Sequence, residues 1–266
     1  MSAEADLLLA GGRRLEARRI GGPSDRSPTL VFLHEGLGSV ALWRDFPDRL
    51  ARAMEWPALV YSRLGYGGSD PAPLPRPVSF LEDEAIDVLP KVLAAADVRD
   101  AVLFGHSDGA SIALLHAASF PAFPAGPVRG VIAEAPHVFV EDVTLASIRE
   151  AGVAYRRGDL RRRLERYQGA NVDLAFRGFH DVWLAPAFAS WNIEELVGRI
   201  RTPLLVVQGE DDPYGTMRQV ESIRARAGGP VEVLALPAPC GHSPHAAHPG
   251  AVLEASIAFL RRLDVS

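Results

Sequence analysis

Cysteine is almost absent: Cys240 is the only one in 266 residues. No internal disulfide can form, and a cytoplasmic setting is the expectation. Lysine is as scarce, Lys91 alone, so arginine carries nearly all the basic charge. Acidic residues outnumber basic ones, 33 to 28, for a formal net charge of -5. No basic domain of the kind that holds nucleic acid is present. No apolar run approaches the roughly 20 residues that cross a bilayer. The short run 7–10 has neither the length nor the preceding basic residue of a signal peptide. Nucleic acid and membrane are thereby set aside. A small-molecule partner, and a monomer or homodimer, are expected.

What is present is ordinary for a globule: 48% hydrophobic and 23% charged residues. At this length the chain is one large domain, or one domain with an insertion. Short apolar runs recur at 30–33, 58–61, 101–104, 130–133, 204–207 and 231–236. Rich in Val and Leu and too short for helices, they read as parallel strands buried on both faces. Helical patterns lie between them at 42–54, 79–96, 110–119 and 250–263. The second opens on Ser79-Phe80-Leu81-Glu82, a capping-box signature, and carries Pro90, which should kink it. Strands alternating with helices predict an α/β sheet flanked by helices. The proline-rich stretch 70–78 is an extended loop.

Residues 137–200 break the alternation. They hold no convincing strand, read as helical at 147–155, 159–167 and 193–200, and are rich in rings, among them Tyr155, Phe176, Phe179, Trp183, Phe188 and Trp191. A helical insertion between two strands would overlie the carboxyl ends of the sheet, where open α/β folds bind ligands. Two or three of these rings are expected to line a pocket and the rest to pack. The arginines at 156–166 read as a solvated helix face.

Chemistry concentrates at Gly105-His106-Ser107-Asp108-Gly109. A strand-like run enters it and a small-residue helix follows, the strand–turn–helix setting that makes Gly-x-Ser-x-Gly a nucleophile elbow. The serine must protrude from a strained turn, and side chains two residues to either side would strike neighbouring backbone. A serine hydroxyl needs a base, and the base an acid, in the chain order Ser, acid, His. The run 204–213 ends in Gly209-Glu210-Asp211-Asp212-Pro213, which offers the carboxylate. His242, in the glycine-flanked loop Cys240-Gly241-His242, is the candidate base. An oxyanion hole would take one N–H from Asp108 and another from the loop His34-Glu35-Gly36-Leu37-Gly38-Ser39, which follows the first apolar run.

These four ordered motifs, with Ser62-Arg63-Leu64-Gly65-Tyr66-Gly67-Gly68-Ser69-Asp70 between the first and the elbow, resemble the α/β-hydrolase fold superfamily over essentially the whole chain. The resemblance implies a mostly parallel sheet with one or two antiparallel strands at the amino terminus (7–9 and 14–19). It implies a core of residues 1–136 and 201–266, with a helical cap, 137–200, between strands 6 and 7. The usual Gly-x-x-Asp spacing selects Asp212 over Asp211, and the pattern Gly-His-x-x-His selects His242 over His245. By position, Gly36 or Leu37 supplies the second oxyanion N–H. The implied activity is a serine hydrolase of small carboxylic esters or related acyl substrates, acting through Ser107, His242 and Asp212 with no cofactor and no metal. Lactone and carbon–carbon bond hydrolysis use the same triad. A small-molecule sensor that retains the pocket is the reading from another class. An aspartate in place of Ser107 would have indicated a dehalogenase or an epoxide hydrolase.

Two departures stand out. The early loop carries Glu35 where such proteins usually have glycine, and Ser62 stands where they usually have aspartate, leaving Arg63 near the pocket without that partner. Glu35 is expected to turn away and pair with Arg63. The alternative is that Glu35 or Asp108 meets a cationic substrate group, since Ser107-Asp108-Gly109 is similar to the elbow of amino-acid-ester hydrolases such as valacyclovir hydrolase. Trp183 and Trp191 are the candidate pocket rings. His34 is expected to strap the early loop, and His106, His116, His245 and His248 to be structural.

Overall fold

The computed structural model describes residues 6–22, 27–120 and 128–263. Eight strands form one sheet: β1 (Asp6–Ala10), β2 (Arg13–Ile20), β3 (Thr29–Leu33), β4 (Ala58–Tyr61), β5 (Ala101–His106), β6 (Val128–Glu134), β7 (Leu204–Gly209) and β8 (Val231–Leu236). Their order is β1-β2-β4-β3-β5-β6-β7-β8. The β1–β2 and β2–β4 pairings are antiparallel, and the other five are parallel. All six apolar runs are strands, and the two amino-terminal strands run antiparallel as expected.

Alternation along each strand divides the core in two. Val31 and Leu33 of β3 join the cluster under helix Asp108–Ser119 and the helical run that begins at Phe80. Leu30 and Phe32 face the helices Phe46–Met54 and Pro249–Leu263. Period-two geometry applied to continuous apolar runs requires these two covered faces. Helix Asp108–Ser119 is buried on every side, which suits its Ala, Ile and Leu composition.

Local chemistry modifies several expected elements. The pattern at 42–54 splits into a 3-10 turn, Val40–Trp43, and a helix, Phe46–Met54, because Arg44 between them has φ +52° and cannot continue a right-handed helix. The run at 79–96 widens into a π-turn, Glu84–Val88, ahead of Pro90, the local adjustment expected where a ring removes an N–H. Its capping box does not form; the Ser79 hydroxyl donates to Asp83 instead, at 3.0 Å.

Between β6 and β7 stand helices Asp142–Arg157, Leu160–Gln168, Val172–Trp183 and the short Glu194–Val197. Val172–Trp183 was not anticipated as a helix, although its buried Phe176, Phe179 and Trp183 recur at helical spacing. This segment is fastened to the sheet loops by two buried amides. Gln168 donates to the carbonyls of Leu37 (2.6 Å) and Gly38 (3.0 Å) and accepts from the Gly67 N–H (2.8 Å). Asn171 donates to the carbonyls of Gly67 (3.0 Å) and Ser69 (2.7 Å). Among the described residues no helix is long and apolar enough to cross a membrane.

Candidate active site

The loops that leave the carboxyl ends of β3, β5, β7 and β8 converge over the centre of the sheet. Ser107 directly follows β5, with φ +54° and ψ -116°, a conformation that is strained for any residue with a side chain. Two close approaches enforce the turn. A Cβ on Gly105 would overlap the Gly109 carbonyl, and one on Gly109 would overlap the Leu33 carbonyl. The turn is held further by the Ser107 N–H, which donates to the Glu134 carbonyl at 2.8 Å. Helix Asp108–Ser119 then begins directly beneath Ser107, and its amino-terminal dipole favours negative charge there.

Ser107 Oγ lies 2.9 Å from His242 Nε2. His242 Nδ1 lies 2.9 and 2.8 Å from the two carboxylate oxygens of Asp212. Asp212 also accepts from the Tyr214 N–H and the Gln208 side-chain amide, both at 2.8 Å. Burial alone would raise its carboxyl, but the His242 ring and the Tyr214 amide outweigh burial and hold it below its ordinary value. Asp211 points elsewhere. It accepts the N–H groups of Cys240 (3.0 Å) and Gly241 (2.8 Å) and so caps the loop that carries His242.

His34 and Arg63 build the loop after β3 from behind. The Arg63 N–H donates to His34 Nε2 at 3.0 Å, which leaves the His34 proton on Nδ1, 2.7 Å from the Glu35 carbonyl. Burial, then Arg63, hold the His34 ring well below its ordinary pKa, so it is the neutral strap expected. The Arg63 side chain differs from its expected place. It is only 1% exposed, donates to the Glu35 backbone carbonyl at 3.0 Å and lies 3.7 Å from Asp108 Oδ2. It neither lines the pocket nor pairs with the Glu35 carboxylate, which folds back to accept the Leu37 N–H. That N–H is therefore engaged, while Gly36 carries the other candidate donor. Phe179 lies where a Cβ on Gly36 would project.

Asp108 is enclosed: Oδ1 accepts from Trp183 Nε1 at 3.1 Å, and Oδ2 is buried beside Arg63. Burial pushes the carboxyls of Glu35 and Asp108 above their ordinary values.

A cavity of about 260 Å³ opens on Ser107 and His242. Its walls include Glu35, Gly36, Leu37 and Asp108 from the core, and Thr144, Ile148, Leu164, Phe179 and Trp183 from the inserted helices. Trp183 thus meets the cavity and Trp191 does not. Trp191 stacks on Phe188 at 5.4 Å, meets Trp183 edge-on at 6.1 Å and donates to Glu82 at 2.8 Å, one ring behind the cavity wall. His106 donates to the His242 carbonyl at 2.6 Å, His116 contacts the Ala85 carbonyl at 2.8 Å and His248 the Pro239 carbonyl at 3.0 Å. Nothing in the sequence pattern pointed to Gln168, Asn171 or His137. His137 lines the cavity, and burial brings its ring down to about 4.

The profile of the alpha/beta hydrolase family matches residues 30–255. Among solved structures, VinJ aligns over 98% of this chain and 99% of its own, at 24% identity and a TM-score of 0.70. A meta-cleavage product hydrolase from Pseudomonas fluorescens aligns over 97% and 98%, at 14% identity and a TM-score of 0.75. A thermophilic esterase from Thermogutta terrifontis aligns over 98% and 100%, at 16% identity and a TM-score of 0.72. At such identities the likeness concerns the fold. No curated protein sequence matches the chain.

Proposed function

The chain belongs to the alpha/beta hydrolase family, and we propose that it is a serine hydrolase of small carboxylic esters and related acyl substrates. The reading rests on one observation above all: Ser107 Oγ, on a strained turn over a helix amino terminus, lies 2.9 Å from a histidine whose other nitrogen is held by a buried aspartate. In this reading His242 Nε2 takes the hydroxyl proton as Ser107 Oγ attacks the acyl carbon. The oxyanion is received by the N–H groups of Asp108 and Gly36. His242 then passes its proton to the departing alcohol, leaving an acyl-enzyme. Water, deprotonated by the same ring, releases the acid and restores Ser107. Asp212 holds the tautomer and stabilises the imidazolium.

Helices within 137–200 act as a cap that supplies the apolar side of the pocket. The volume, about 260 Å³, suits a small acyl group. The Asp108 carboxylate is not used for a substrate cation, because Trp183 and Arg63 already occupy its surroundings. Fluorophosphonate labelling followed by a panel of short-chain esters and lactones tests the reading. Labelling at Ser107 with steady ester turnover is expected. Absence of labelling would overturn it. One-for-one acylation without turnover would favour the sensor, and lactone or carbon–carbon bond cleavage in preference to esters would move the substrate class.

A further inference from the structure

The Glu35 carbonyl and the Gly36 N–H belong to the same peptide group. In a trans peptide these two bonds point in opposite directions, so whatever grips the carbonyl also aims the N–H. Two donors grip it: His34 Nδ1 at 2.7 Å and Arg63 Nη2 at 3.0 Å. Both depend on Arg63, whose main-chain N–H sets the His34 tautomer and whose guanidinium supplies the second bond.

The guanidinium is held in unusual circumstances. It is almost wholly buried, and neither Nε nor Nη1 has a hydrogen-bond partner among the described residues. An incompletely paired buried cation is costly, and a stability argument alone gives no reason to keep it. Its neighbours balance its charge without saturating it: Asp108 Oδ2 at 3.7 Å and the face of Tyr66 at 5.0 Å. The cation therefore lies behind a single peptide group and beside the one carboxylate that adjoins the nucleophile.

We propose that Arg63 is a positioning residue for acyl transfer, acting through the Glu35–Gly36 peptide to aim and polarise the Gly36 N–H toward the oxyanion. This rests on the hydrolase reading above. The physical effects reinforce each other. A charge-assisted bond to a carbonyl strengthens the donor at the other end of the peptide, and does so more in a low-dielectric interior. The same charge offsets the Asp108 carboxylate, whose field would oppose negative charge on the substrate oxygen. Arginine suits the role because its charge persists when buried and because the one nitrogen that donates to the Glu35 carbonyl also lies within ion-pair range of Asp108.

The test uses the full chain, an activated short-chain ester and a trifluoromethyl ketone analogue, whose adduct with Ser107 places an oxyanion in the hole. In Arg63→Gln, kcat should fall about 100-fold, the scale of losing one oxyanion donor. KM should stay within about threefold, as expected when only transition-state contacts are lost. Affinity for the ketone should fall in step with kcat, while affinity for the product acid holds. Arg63→Lys, which keeps the charge, should recover part of the loss. If Arg63→Gln does not fold, Arg63→Gln with Asp108→Asn removes both charges together; relative to Asp108→Asn alone it should still lose about tenfold in kcat, less than the single variant, because the bond to the Glu35 carbonyl is lost while no Asp108 charge remains to be offset. A folded Arg63→Gln variant with kcat within threefold of the parent overturns the proposal, as does equal weakening of ketone and acid. A parent protein that neither reacts with fluorophosphonate nor cleaves the ester overturns the hydrolase reading and this inference with it; an active parent with indifferent Arg63 variants overturns the inference alone.

Discussion

Two histidines three residues apart, His242 and His245, each pair with a carboxylate from another part of the chain, and the two pairs are built alike. Asp212 holds His242 Nδ1 at 2.8 Å, and Glu134 holds His245 Nδ1 at 2.9 Å. Each carboxyl is pushed up by burial and brought below its ordinary value by its histidine. They differ in what lies beyond the ring. The far nitrogen of His242 meets Ser107 at the edge of a cavity. The His245 ring is packed beside Trp43 and Phe46, with centroids 4.9 and 5.5 Å away, and its own N–H also donates to Glu134. The same pair chemistry thus faces a serine and a cavity in one place, where we propose it serves reaction, and anchors a loop in the other. The second pair ties the loop that carries the first to the end of β6, and His106 ties it to β5.

The comparison is broken most severely at the serine. Ser107→Ala should lower kcat for an activated ester by about 10⁶, the loss typical when a triad acts as a unit. The thermal midpoint should remain near that of the parent. Retention of more than a few per cent of activity would remove Ser107 from the mechanism.

Next in size is the carboxylate of the first pair. Asp212→Asn should cost about 10⁴ in kcat, because asparagine stabilises the wrong tautomer of the histidine. Asp211→Asn, which disturbs only the loop cap at Cys240 and Gly241, should cost less than about tenfold. Matching kinetics on both variants check this, and equal losses would mean that the two carboxylates share the task.

The second pair should respond in stability instead. Its sign follows from two shifts. Glu134 is lowered, so its contribution is present above the ordinary glutamate value and is lost as pH falls through its folded value. His245 is raised, because Glu134 outweighs the burial that opposes the charged ring. Its contribution is therefore present below the ordinary histidine value and is lost as pH rises through its folded value. The pair is fully felt between roughly pH 4.3 and 6.5. Glu134→Gln should cost about 3 kcal/mol near pH 5.5, the low end for breaking a buried ion pair, and less at pH 9. Denaturant unfolding of both proteins at the two pH values measures it. An equal loss at both would show that the pair is held by hydrogen bonding without charge.

The two pairs were not equally readable from sequence. The strands and the elbow are local matters, since buried runs and glycines two residues either side of a serine carry their geometry with them. Asp212 and His242 followed from loop spacing and a family resemblance. Glu134 gave no signal, because a carboxylate ending an apolar strand looks like the start of a loop until the fold brings His245 to it. Gln168 and Asn171 stayed silent for the same reason: their partners lie 101 to 131 residues away and are backbone groups, which any residue offers. Arg63 was expected at the pocket because it follows β4; the fold sends it behind the loop after β3, where a carbonyl and Asp108 receive it. Trp183 and Trp191 could not be told apart on composition, since both are rings among rings.

That last pair of residues gives the smallest and sharpest comparison. Trp183 borders the cavity and donates to Asp108, whereas Trp191 stacks on Phe188 and donates to Glu82. Replacing each with leucine keeps an apolar group while shortening the ring. In Trp183→Leu the space gained lies beside the acyl carbon, so longer chains should benefit relative to acetate. A methylene in a fitted pocket is worth about 1–3 kcal/mol, and the ratio of kcat/KM for hexanoate over acetate should shift by about tenfold. Trp191→Leu should leave that ratio unchanged and lower the midpoint of thermal unfolding, because it loses its stacking on Phe188 and its bond to Glu82, neither of which lines the cavity. Measuring two esters on the two variants decides the matter. A changed ratio in Trp191→Leu, or an unchanged one in Trp183→Leu, would mean that the acyl chain leaves Ser107 on the other side of the inserted helices.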